Sequence, residues 1–196
     1  MKEMIVIILT AVFVNNYVLQ QFLGICPFLG VSKKIGPATG MSAAVVFVMI
    51  LATAVTWPIQ TFILEPAGMG YMQTVVFILL IASVVQLVEI TLKRYMPSLH
   101  SALGVYLPLI TTNCAVLAVC ISNIDTGFTF REAIFNALGS GLGFFLAMIL
   151  FAGIRSRIEE CDPPESFKGL PITLVSAAIL SLSFFGFAGV IENLFA

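Results

Sequence analysis

Residues 4–31, MIVIILTAVFVNNYVLQQFLGICPFLGV, run for 28 positions without one charged side chain. As a single helix they would extend roughly 42 Å at 1.5 Å per residue, further than a hydrocarbon core of about 30 Å. Pro27 brings no amide hydrogen, so a helix break is expected near Cys26. A second interruption lies in residues 107–119, LPLITTNCAVLAV, where Pro108 and the polar run Thr111, Thr112 and Asn113 precede Cys114. Both stretches read as discontinuous membrane helices.

The two interruptions are worded alike. Aligned on Cys26 and Cys114 at an offset of 88, CPFLGV at 26–31 and CAVLAV at 114–119 share a cysteine, then leucine, a small residue and valine. Interrupted helices at corresponding places in two halves mark an inverted repeat with a site near the bilayer midplane. Elsewhere the halves resemble each other only faintly.

Composition supports a membrane setting. Of 196 residues, 60% are hydrophobic and 10% charged, with a mean hydropathy of +1.09, whereas soluble domains carry roughly a quarter charged residues. Hydropathy gives six expected spans: 4–31, 41–63, 72–92, 102–124, 132–153 and 170–191. The expected fold is an all-α integral membrane protein of six transmembrane helices in a 3+3 inverted repeat. Residues 1–100 form one repeat and 101–196 the other, with spans one and four discontinuous. The loops after spans one, three and five hold Lys33, Lys34, Lys93, Arg94, Arg155, Arg157 and Lys168, against Lys2 and Arg131 on the other side. By the positive-inside rule those loops are cytoplasmic and both termini lie outside. The apolar start has no small-residue cleavage site and reads as a permanent span rather than a signal peptide. Neither a basic patch for nucleic acid nor a phosphate loop, catalytic triad or carboxylate pair is present, so no catalytic residue is assigned.

Cysteine in a membrane helix is most often a small packing residue, and Cys120 is read that way. Cys161 sits among Glu159, Glu160 and Asp162, where negative charge disfavours a thiolate; it reads as a loop residue. Cys26 and Cys114 differ, because their contexts match and both lie beside helix breaks. Together they supply two soft ligands suited to iron–sulfur, zinc or Cu(I). A four-coordinate iron–sulfur cluster needs four, so the other two would come from a second polypeptide. Asn15, Asn16, Gln20 and Gln21 are costly in a membrane unless satisfied; they read as interhelical hydrogen-bonding groups, caps for broken backbone, or the lining of a path near Cys26. Glu89 is spaced to pair with Lys93. Gly139, Gly141 and Gly143 permit close helix packing. His100 reads as solvated.

With these residues in view, the chain closely resembles the Rnf electron-transport complex A-subunit family, within the RnfA/NqrE membrane subunits. Residues 14–19, VNNYVL, 22–34, FLGICPFLGVSKK, and 107–117, LPLITTNCAVL, carry the likeness most strongly. The related E subunit of the sodium-pumping NADH:quinone reductase shares the cysteine phrases. The Asn-Asn pair, the proline after Cys26 and the short loop between spans two and three favour the Rnf side.

The resemblance implies one component of a redox-driven ion translocase, a ferredoxin:NAD⁺ oxidoreductase, in a bacterial or archaeal cell (inner) membrane. It implies a [2Fe–2S] cluster shared with a homologous partner of opposite orientation, the Rnf E subunit, with Cys26 and Cys114 as this chain's two ligands. The other partners implied are the B, C, D and G subunits, which hold flavins and further iron–sulfur clusters. Thr112, Asn113 and nearby backbone amides are the expected groups around the cysteine sulfurs, and electron flow would be coupled to Na⁺ or H⁺ export. The competing readings are the quinone-reductase E subunit, a secondary transporter or ion-conducting protein without a cluster, and an assembly scaffold with packed cysteines.

Overall fold

The computed structural model describes residues 2–32, 35–66, 68, 70–95, 107–161 and 164–195. Among them all regular structure is helical. In order, the helices are α1 (Lys2–Leu9), α2 (Ile25–Val31), α3 (Ile35–Ile59), α4 (Gln73–Tyr95), α5 (Leu107–Thr111), α6 (Cys114–Asp125), α7 (Phe130–Glu160) and α8 (Leu170–Phe195). Four stretches are long and apolar enough to cross a membrane: Ile35–Leu64, Gly70–Thr91, Pro108–Asp125 and Phe130–Ile158. Met4–Val14 and Leu170–Gly186 are shorter apolar helices. This is a multi-pass helical membrane protein. Lys33, Lys34, Pro97, His100 and the start of the fourth expected span lie outside the described residues.

The first apolar stretch is interrupted as expected, but not at the expected residue. α1 widens into a π turn over Thr10–Val14, closed by the Asn15 N–H on the Thr10 carbonyl at 2.7 Å. The chain then leaves helical geometry until Ile25. Pro27 does not break α2; it occupies the third position, inside the first turn, where no intrahelical bond needs its missing N–H. Phe22 (φ 55°) and Gly24 (φ 81°) take left-handed backbone, and these residues turn the chain into α2. Pro108 likewise stands in the first turn of α5. Pro58, by contrast, lies inside α3, which continues as a π turn over Gln60–Leu64.

α3 and α7 make the most extensive contact in the molecule, and small residues make it possible. A Cβ on Gly141 would stand 3.2 Å from the Val46 Cα of α3, and at the neighbouring contact with α1 one on Gly139 would stand 3.0 Å from the Ile8 Cα. Lipid tails are as apolar as leucine, so helices in a membrane associate through such close packing rather than through water exclusion. Around this contact Met41, Val45, Ala52, Ala137, Met148 and Phe151 are fully buried. Phe28 of α2 stacks on Phe151 with ring centroids 4.1 Å apart. The outward faces of α4 and α8 are apolar and open, with Leu79, Leu87, Ile179 and Leu182 all exposed. Such faces suit hydrocarbon or a neighbouring protein.

Candidate functional site

The two interruptions meet. The Gly24 N–H, at the start of α2, donates to the Cys114 Sγ at 2.9 Å. Cys114 is the first residue of α6, directly after its Asn113 N-cap. Cys26 is the second residue of α2. Both cysteines are exposed on the single chain, although residues around them are buried. The contact between phrases 90 positions apart is close: a Cβ on Gly24 would stand 3.1 Å from the Asn113 Oδ1 and 3.2 Å from the Ala115 Cβ.

Buried asparagines hold both breaks. Asn16 is 1% exposed, and its Oδ1 accepts the N–H groups of Val18 (3.0 Å) and Leu19 (3.2 Å). Its Nδ2 donates to the carbonyls of Val12 (3.2 Å) and Gly143 (3.0 Å). One side chain thus satisfies backbone on both sides of the first break and ties it to α7. Ser181 of α8 donates to the Leu19 carbonyl. At the second break the Asn113 Oδ1 accepts from the Ala115 N–H at 3.0 Å, a helix N-cap. Its Nδ2 is buried and finds no acceptor among the described residues.

The other expected site residue, Thr112, spends its hydroxyl hydrogen on the Pro108 carbonyl at 3.0 Å. The donor found on Cys114 is instead the Gly24 amide. A glycine two positions before a candidate ligand was the available signal, since left-handed backbone can turn an N–H toward sulfur. Arg155 was also missed as a site residue: its Nη1 donates to the Leu29 carbonyl (2.7 Å) and the Ser32 Oγ (2.9 Å), fastening the far end of α2. Cys120 is 1% exposed, with its Sγ 4.0 Å from the Thr53 Oγ1, and is a packing residue as expected. Cys161 is exposed beyond the end of α7. Among the described residues no three His, Cys, Asp or Glu side chains gather where they could hold a metal ion.

Residues 4–191 match the sequence model of the family described as Rnf-Nqr subunit, membrane protein. The chain belongs to the Rnf-Nqr family. Among its Rnf-Nqr relatives is the A subunit of the Na(+)-translocating ferredoxin:NAD(+) oxidoreductase complex of Acetobacterium woodii, to which the chain is 55% identical over 186 residues. That alignment covers 95% of this chain and 97% of the relative. Two proteins named as A subunits of an ion-translocating oxidoreductase complex are also similar, each alignment covering 98% of this chain and 100% of the relative. They come from Syntrophotalea carbinolica, 49% identical over 193 residues, and Serratia proteamaculans, 46% identical over 192. An Rnf-Nqr protein similar to A subunits over nearly its whole length thus brings its two cysteine phrases into contact at paired helix breaks.

Proposed function

We propose that this chain is the A subunit of an ion-translocating ferredoxin:NAD⁺ oxidoreductase of the cell membrane. In this reading it carries electrons across the bilayer through a [2Fe–2S] cluster shared with the homologous E subunit, and the electron flow is coupled to Na⁺ or H⁺ export. The complex also contains B, C, D and G subunits, which hold flavins and further iron–sulfur clusters. The chain itself is a six-span 3+3 inverted repeat with both termini outside: α1 with α2, α3 and α4 form one half, and α5 with α6, α7 and α8 the other.

The observation that carries this reading is the 2.9 Å contact from the Gly24 N–H to the Cys114 Sγ. It joins the two cysteine phrases at the breaks of two helices. The residues fit the group: two exposed cysteines, one with its sulfur already receiving an amide hydrogen bond, provide half of a four-thiolate set. A homologous protein facing this one supplies the remainder. When bound, a [2Fe–2S] group supplies one-electron exchange at a potential tuned by charge, hydrogen bonds to sulfur and solvent exposure.

The chain's own residues set those conditions. Gly24 donates to the Cys114 sulfur, and Asn113 starts α6 so that Cys114 stands at its N-terminus. Asn16 and Ser181 hold the first break against α7 and α8, and Arg155 holds the far end of α2, the short helix whose second residue is Cys26. Val18, Leu19 and Phe28 are buried beside the first break, and Ile110 and Ala115 beside the second.

The test is low-temperature EPR with iron and acid-labile sulfide analysis on anoxically purified complex. Wild type is compared with Cys26→Ser and Cys114→Ser. Loss of one reducible signal and its iron from either assembled variant is the expected result. An unchanged spectrum and iron count would reduce both cysteines to packing and leave the chain an ion-conducting or scaffold protein.

A further inference from the structure

Beside the cysteine site the molecule contains a second polar region that the electron-carrier reading does not use. A cavity of about 180 Å³ lies between the π turn after α1 and the end of α6, lined in part by Thr10, Asn15, Tyr17, Ser122, Thr126 and Asn136. It reaches from the Thr126–Phe128 turn down to Asn15 and Tyr17, the first residues of the break in the first apolar stretch. In a chain that is 60% hydrophobic, six polar side chains around one cavity need an explanation, because polar groups at membrane depth are costly unless they serve one another or line a wet path.

Part of the wall is internally satisfied. Tyr17, Ser122 and Asn136 line the same wall, and the Asn136 Nδ2 donates to the Asn123 Oδ1 at 2.7 Å. Other groups are set up as acceptors. Thr126 spends its hydroxyl hydrogen on the Ser122 carbonyl at 2.6 Å, which leaves its oxygen lone pairs to accept. α6 also ends here, and the C-terminal end of a helix dipole is its negative end. Oxygen acceptors and a negative helix end suit a cation. The cavity also has room for waters to accompany it.

We propose that this cavity is the outward vestibule for a hydrated monovalent cation, through which the ion moved by the complex leaves or enters. The inference rests on the ion-translocating part of the proposed function, not on the cluster. Asn15 and Tyr17 sit at the inner end, where a displacement of the first helix break would open or close the passage. Ser122, Thr126 and Asn136 form the outer wall.

The experiment uses the whole complex reconstituted in vesicles, with Ser122→Cys. The probe is a membrane-impermeant, trimethylammonium-bearing methanethiosulfonate, itself a monovalent cation, and modified cysteines are located by mass spectrometry. Expected is modification of position 122 from the side bearing Thr126 and Phe128 and not from the side bearing Arg155. Ferredoxin-driven cation uptake, followed both as sodium and as protons, should then be lost relative to the same variant unlabelled. Labelling from the Arg155 side, no labelling, or uptake unchanged after full labelling would each overturn the proposal. Should Ser122→Cys fail to assemble, Thr126→Cys on the exposed rim gives the same readout. A wild-type complex without the EPR signal would sink the shared cluster and leave these labelling outcomes intact.

Discussion

The Gly24 N–H stands 2.9 Å from the Cys114 Sγ, joining residues 90 positions apart at the point where two helices are interrupted. Two features of Gly24 make that possible. Its φ of +81° is left-handed backbone, and the space where a Cβ would go is already held by the Asn113 Oδ1, the Phe144 ring and Ala115 at 3.1 to 3.2 Å. Gly24→Ala therefore combines a left-handed residue, costing about 1–2 kcal/mol, with a clash at the sulfur-bearing helix start. The expected outcome is a complex with a lower unfolding temperature in detergent and less bound iron than wild type. Equal iron content and an equal midpoint potential would show that the amide does not act on the sulfur.

Asn16 is the principal tie of the first break. Asn16→Leu keeps the branching of the side chain but orphans the Val18 and Leu19 N–H groups and removes the second hydrogen bond on the Gly143 carbonyl, all of which now lie 3.0 to 3.2 Å from its side-chain atoms. Each buried unpaired group costs about 1–3 kcal/mol, and a membrane interior offers little water to replace the lost partner. The variant should assemble poorly. Asn16→Asp keeps the acceptor for both amides but loses the donor to Gly143, and should also fall below wild type. Thermal stability of purified complex checks both, and wild-type values for Asn16→Leu would contradict the assignment.

These two residues show what could be read from sequence alone. The breaks themselves were legible, because a charge-free run of 28 residues is too long for one straight span and the cysteine phrases repeat. The position of the first break was not. Pro27 looks like a helix breaker by composition, yet a proline in a first turn removes nothing the helix uses, and the chain instead opens upstream, over Asn15 to Gly24. The packing role of Gly139, Gly141 and Gly143 was legible from residue size alone. Contacts such as Gly24 with Cys114 or Arg155 with Leu29 depend on how distant segments cross. One-dimensional periodicity carries no information about that crossing.

Arg155 reaches from α7 to the end of α2, where its Nη1 meets the Leu29 carbonyl at 2.7 Å and the Ser32 Oγ at 2.9 Å. Hydrogen bonds made by a charged group contribute about 1.5–3 kcal/mol, and here they also fix the short helix that carries Cys26. Arg155→Gln should speed amide hydrogen exchange in residues 25–32 while leaving α3 protected. Arg155→Lys keeps the charge but loses the planar fork, so its exchange should lie between the two. Unchanged exchange in Arg155→Gln would mean that α2 is held by its other contacts, among them Phe28 stacking and the Gly24 amide on Cys114.

Asn113 offers the sharpest separation of roles, because its two amide atoms do different things. The Oδ1 caps α6 through the Ala115 N–H at 3.0 Å, whereas the Nδ2 is buried with no acceptor among the described residues. Asn113→Ala removes the cap and should cost about 1 kcal/mol. Asn113→Ser keeps an oxygen able to cap and deletes the orphaned amide, so it should be close to wild type in stability. If the amide nitrogen serves only this chain's fold, the serine variant should also retain the wild-type midpoint potential of the proposed iron–sulfur site. A lowered potential with stability intact would place that nitrogen as a donor toward the cysteine-bound group in the assembled complex, the role expected of Asn113 from sequence. Redox-titrated EPR beside thermal unfolding of the same two variants decides between these roles.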